Sequence, residues 1–290
     1  MSIIRKIKLT LKSRQTLEGA GVRLRRAFGF NENPSLFDPF LLLDHFGSDN
    51  PSDYILGFPW HPHRGIETIT YMIKGKIAHE DSLGNRGVIE SGDVQWMTAG
   101  SGIIHQEMPQ ISKDDLYGFQ LWANLPSSEK MMPPRYRDIN ENQIPEIILD
   151  NGVKVKIICG IYNDVKGPVK NIVTRPEYLD IFIPPNSDFK HNIPLEYNVF
   201  AYVYDGKGYF DEEEDKLKEK YDLILYQDGN RVKIKTLNSY VRFILVSGKP
   251  LNEPVAWRGP IVMNTNEELI TAFREFREGT FIKHQDIQMR

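Results

Sequence analysis

Apolar and polar positions alternate with a period of two through most of this chain. The stretches KIKLTLK (6–12), ETITYMIKG (67–75), VKVKIICGIY (153–162), NVFAYVYDGKGYF (198–210) and YVRFILVSG (240–248) are rich in β-branched and aromatic residues. YLDIFIP (178–184) and RVKIKTL (231–237) share the bias. Turn signals punctuate them: DSLGNRG, ESGD, NDVKGP, PPNSD and QDGN. Many short strands with regular punctuation predict an all-β sandwich or barrel. A helical period emerges clearly once, in TNEELITAFREFREG (265–279). There Thr265 and Glu268 have capping-box spacing, Ile270, Phe273 and Phe276 form the expected apolar stripe, and Gly279 is the stop.

Between these patterned regions, residues 121–147 (LWANLPSSEKMMPPRYRDINENQIPEI) are proline-rich, polar and without period. Such a segment reads as a boundary. It divides the chain into an N-terminal β-domain at 1–125, a linker at 126–147 and a C-terminal β-domain at 148–290 that carries the short helix. A weak internal repeat supports related halves: ITYMIKGKIAHEDSLG and FAYVYDGKGYFDEEED both read strand, glycine turn, strand, acidic loop. Solvation explains the acidic run Asp211 to Asp215.

With 290 residues, 40% of them hydrophobic and 26% charged, the balance is that of a soluble protein with a sizeable core. A net charge of −3 argues against nucleic-acid binding through bulk electrostatics. The cluster Arg23, Arg25 and Arg26 in VRLRRAFG reads as a solvated strand face. The single cysteine, Cys159, precludes an intrachain disulfide and sits in an alternating apolar run as a small core residue. No signal peptide and no apolar run long enough to span a membrane are evident, so the expected location is cytoplasmic.

Seven histidines are present, and two of them, His61 and His63, are one residue apart in FPWHPHRG. In a strand, i and i+2 project from one face, and Pro62 favours an extended chain before it. His105 and Glu107 in GIIHQEMP repeat the spacing. If the two segments are neighbouring strands, three imidazoles and one carboxylate converge, a donor set suited to iron, nickel, copper or zinc. Up to two octahedral positions would remain open for a substrate or dioxygen. A closed structural zinc site would more often use cysteines, and Cys159 has no partner. Arg64 alternates to the opposite face and suits an ion pair; His79 and Glu80 lie at a strand end.

The long motifs FPWHPHRGIETITYMIKGKIAHEDSLGNRG and SGDVQWMTAGSGIIHQEMP resemble the signature of the pirin family within the cupin superfamily. The likeness extends through FGFNENPSLFDPFLLLDHFG and SGKPLNEPVAWRGPIVMNTNEEL and so covers most of the chain. It implies a bicupin: two jelly-roll-like β-barrels, the N-terminal one holding a single divalent metal, the C-terminal one metal-free. Iron is the family's usual ion, with nickel, copper, manganese or zinc as alternatives. Its expected ligands here are His61, His63, His105 and Glu107. The general cupin pattern would place a carboxylate ligand at Glu67; the pirin pattern uses Glu107, leaving Glu67 behind the histidines, where it could orient an N–H.

Three functions are compatible with the resemblance. The first is a dioxygenase acting on a flavonol such as quercetin, or a similar small oxygen-chelating aromatic. In it Glu107 serves as base, and Phe58, Trp96 and Met97 wall a planar pocket. The second is a metal-dependent, redox-sensing regulator without turnover, acting through a protein partner. The third, a non-redox cupin such as a sugar-phosphate isomerase, lacks a basic cluster, since the first motif offers only Arg64. No serine-hydrolase elbow or Walker loop occurs.

Overall fold

Each alternating stretch is a strand in the computed structural model, which describes residues 2–112, 115–170, 172–212 and 216–284. The chain forms two compact units, and they do not follow chain order. One comprises Gln15–Pro34, Phe40–Glu141 and the chain from Leu251 onward; the other comprises the chain up to Arg14, Ser35–Pro39 and Asn142–Pro250.

The first unit is a two-sheet sandwich. Its seven-stranded sheet runs, in spatial order, Arg135–Ile139, Val94–Thr98, Ile66–Lys74, Leu116–Asn124, Phe40–Ser48, Val22–Phe28 and Arg14–Glu18. Its four-stranded sheet runs Phe58–His63, Ile103–Gln110, Lys76–Asp81 and Arg86–Glu90. The inner faces meet in a cluster in which Leu24, Phe46 and Met72 of the larger sheet pack on Ile77 and Ile89 of the smaller. This is the jelly-roll arrangement, with alternate residues of each strand turned into one shared core.

The second unit is built on a ten-stranded sheet whose main path begins at Ile7–Lys12 and passes through Asp222–Tyr226, Asn198–Tyr209 and Val241–Gly248. Alternation is clear in its core: Val153, Val155 and Ile157 are buried, while Lys154 is exposed. Cys159 is buried and its Sγ donates to the Pro176 carbonyl at 3.0 Å. His191 lies 2.7 Å from Glu177. Asp211, expected as solvated, is buried and accepts from the Ile7 N–H at 3.3 Å; Glu212 is exposed as expected, and 213–215 lie outside the described residues.

The expected limits of 1–125, 126–147 and 148–290 therefore differ from the packing. Arg135–Ile139, inside the expected linker, pairs with Val94–Thr98 as an edge strand. The first strand belongs to the second unit, and the last segment, including the helix, returns to the first. The helix Asn266–Arg277 has its capping box: Glu268 N–H donates to Thr265 Oγ1 at 3.2 Å, and Thr265 N–H to Glu268 Oε2 at 3.0 Å. Its buried face is Leu269 and Ala272, on Ile261, Met263 and Phe281, while Ile270 is 64% exposed. Residues three apart advance only ~300° around a helix, so the stripe 270, 273, 276 drifts off the packed face. No helix among the described residues is long and apolar enough to cross a membrane.

Candidate metal centre

The strand Phe58–His63 pairs antiparallel with Ile103–Gln110, placing His61 opposite His105 and His63 opposite Ile103. A register shift between His105 and Glu107 sets Glu107 opposite Phe58. The ligand nitrogens of His61, His63 and His105 all fall within 4.8 Å of one another. His61 Nδ1 lies 2.8 Å from the Pro59 carbonyl oxygen, and His63 Nδ1 lies 3.1 Å from that of Pro260. A carbonyl oxygen only accepts, so each Nδ1 carries the proton and each Nε2 is left with a lone pair.

Those two Nε2 atoms are 3.1 Å apart. Facing lone pairs at that distance make no hydrogen bond. At ordinary metal–nitrogen distances of about 2.0–2.1 Å, two ligands at a right angle would be ~3 Å apart. His105 adds the second anomaly: it is 0% exposed, and neither ring nitrogen has a hydrogen-bond partner among the described residues. Burial holds both His63 and His105 well below the usual histidine range, reinforced by the neighbouring histidines. Those two rings are thus neutral, as ligation requires. The three histidines fit a divalent cation.

Glu107 is buried beside this group but is not one of the three clustered side chains. Gln120 Nε2 donates to its Oε2 at 3.2 Å, and Thr70 Oγ1 lies 3.2 Å from its Oε1. Burial pushes the carboxyl up, while His61 and the Thr70 hydroxyl pull it down. Neither Thr70 nor Gln120 was among the expected site residues, although each is a polar residue in an apolar strand. The Pro260 carbonyl was also unforeseen, because it arrives from the far end of the sequence.

Glu67 does not reach the histidines. Gly65, at φ +78°, interrupts the strand between them, and a Cβ there would lie 1.9 Å from the Val262 carbonyl oxygen. Strand parity therefore cannot be counted across it. Glu67 lies on the face opposite Thr70, accepts from Thr98 Oγ1 at 2.6 Å, and has its carboxyl raised by burial. Arg64 makes the expected ion pair, 2.8 Å from Glu275, and also donates to the Phe281 carbonyl at 2.9 Å. His79 is buried and stacks on Tyr136 at 5.2 Å.

A cavity of about 460 Å³ opens onto His61, His63 and Glu107. Phe58 lines it, as expected; Trp96 and Met97 are fully buried and do not. Met97 packs with Ile66 and Ile103, and Trp96 sits opposite Ile69 in the seven-stranded sheet. Phe30, Leu42 and Trp122 supply apolar wall instead, with Trp122 edge-on to His63 at 5.1 Å. The wall is apolar and the histidine end polar, the composition of a small-molecule site.

Two family models match the chain: Pirin over residues 21–123, and the Pirin C-terminal cupin domain over 178–282. A Pseudomonas aeruginosa protein named "Putative quercetin 2,3-dioxygenase" is 42% identical over 266 residues, covering 90% of this chain and 93% of its own. Pirin of Homo sapiens is 40% identical over 283 residues, covering 96% and 94%. The crystal structure of a quercetin 2,3-dioxygenase from Acinetobacter baumannii is similar with a TM-score of 0.88 and 29% identity, over 96% of this chain and 98% of that one.

Proposed function

The chain belongs to the pirin family, and from that premise we propose that its first unit is a mononuclear metal site, iron in the first place, of a dioxygenase for a flavonol such as quercetin or a similar oxygen-chelating aromatic. The observation that carries the metal is the pair of unprotonated Nε2 atoms 3.1 Å apart beside a fully buried, unpartnered His105. His61, His63 and His105 would hold the ion, with Glu107 as the fourth ligand after a swing of its side chain. When bound, the ion supplies Lewis-acid stabilisation of a substrate oxyanion and access to dioxygen chemistry.

The protein's own residues do the rest. Phe58, Phe30 and Trp122 take a flat aromatic between apolar surfaces and exclude water from the reacting end. Pro260 fixes the tautomer of His63, and Pro59 that of His61, so that both rings keep their lone pairs inward. Glu107 receives the chelating hydroxyl's proton. Burial raises its carboxyl, which makes it a better proton acceptor than a solvated glutamate, and Thr70 and Gln120 hold it at the cavity wall.

The test is loss of quercetin absorbance under dioxygen by metal-loaded protein, with apo-protein and His63→Ala as controls. Metal-dependent bleaching supports the reading. A protein that binds one ion and shows no turnover of any flavonol offered contradicts the dioxygenase; the same centre would then serve a redox-sensing binding protein. Relatives named simply as pirins leave room for that second reading.

A further inference from the structure

The cavity's polar groups are not confined to its metal end. Arg26 pairs in register with Asp44, Asp44 with Gln120, and Gln120 with Thr70, across four adjacent strands. Register partners in an antiparallel sheet share a face, so these side chains form one polar row. Leu24, Leu42, Phe46 and Trp122 line the same cavity from the same strands, so the row crosses an otherwise apolar wall. From Gln120, which holds Glu107, to Arg26 the row spans two strand gaps, ~10 Å. That distance suits a planar molecule of two to three rings with one end at the metal.

At the far end Arg26 is bidentate to Asp44, Nε to Oδ1 and a terminal nitrogen to Oδ2, both at 2.8 Å. Its other terminal nitrogen lies 2.8 Å from Glu18 Oε1. Three of the five guanidinium N–H groups are thereby used, which leaves two without an acceptor among the described residues. The Arg26 side chain is only 15% exposed and Asp44 8%, and the guanidinium rests 5.0 Å over the Phe30 ring. A pair that served only to join two strands gains nothing by facing an apolar cavity, where desolvation weighs against it. One guanidinium among two carboxylates also repels an anionic ligand. It offers spare N–H donors and carboxylate lone pairs together, the complement of a group that both accepts and donates.

Resting on the flavonol reading above, we propose that Arg26, Asp44 and Glu18 form a second subsite that recognises a phenolic hydroxyl on the substrate ring remote from the metal. The hydroxyl oxygen accepts from Arg26 and its O–H donates to a carboxylate oxygen of Asp44 or Glu18. A methyl ether can only accept, and a carboxylate meets like charge.

Binding is measured without dioxygen on metal-loaded protein. The probes are a flavonol bearing only the chelating hydroxyl–carbonyl pair, the same flavonol with a hydroxyl on its far ring, and the methyl ether of that hydroxyl. Wild type is expected to bind the far-ring phenol about tenfold or more tighter than the other two, the size of a hydrogen bond to a charged group. The double variant Arg26→Met, Asp44→Leu, apolar at similar volume, should bind all three within about twofold of one another while metal content stays unchanged. Should that variant not fold, Asp44→Asn keeps the shape, and the preference should fall at least about threefold. No preference in wild type, or an undiminished one in the variants, overturns the subsite. Failure of all three probes to bind wild type has a different signature: it overturns the flavonol reading, and the subsite with it.

Discussion

Two lone pairs 3.1 Å apart, beside an imidazole with no partner for either nitrogen, are the residue-scale facts on which the centre rests. Leaving buried polar atoms unpaired costs about 1–3 kcal/mol each, a cost that a bound cation offsets. Glu107→Gln keeps the contacts to Thr70 and Gln120 sterically possible but removes the base, so turnover of a flavonol should fall by about a hundredfold or more in kcat. Asp44 gives a prediction in pH. Burial raises its carboxyl to about 6 against the pull of Arg26, above the unfolded value of 3.8. The folded state thus holds a proton that the unfolded chain has lost. This favours folding at low pH and is lost as pH rises through 6. Between about pH 4 and pH 7, wild type should lose roughly 2 kcal/mol relative to Asp44→Asn in denaturant titrations. Arg26 was within reach of the sequence: it shares parity with Val22 and Leu24, both buried, whereas Arg23, 68% exposed, does not. Treating the three arginines as one patch concealed it.

At the scale of elements, the decisive piece is the segment from Leu251 onward, which returns to the first unit. Lys130 is buried and its ammonium donates to the carbonyls of Gly65 and Val262 and to Asn124 Oδ1, at 2.9, 3.1 and 2.7 Å. It ties that segment to the chain beside His63, whose Nδ1 meets the Pro260 carbonyl. Lys130→Met should therefore lower metal affinity about tenfold, as loss of support behind a ligand does, measured by competition with a chelator. Gly65→Ala should destabilise by about 3 kcal/mol or more in thermal unfolding, since both the positive φ and the Val262 carbonyl oppose a Cβ. The two histidine spacings were legible because period two holds within each short strand. Glu67, expected behind the histidines, stands apart from them because Gly65 breaks the strand between, where the chain passes from one sheet to the other. Trp96 and Met97, being neighbours on a strand, could never have faced one cavity together.

For the whole molecule, the all-β class and the capping box were readable from periodicity, because local pattern determines them. Which segments join which unit was not, because long-range pairings such as Ile7–Lys12 with Asp222–Tyr226 leave no local mark. Chains cut at the expected boundary should show it: residues 1–147 alone lack Pro260, Val262 and Glu275, and should neither fold cooperatively by circular dichroism nor retain metal. The most direct measurement is metal content by elemental analysis of the whole chain, wild type beside His105→Ala, loaded identically and desalted. One equivalent in wild type, falling below about a tenth in a variant that stays folded, is the predicted result. Equal content in the two proteins would contradict a centre built on these three histidines.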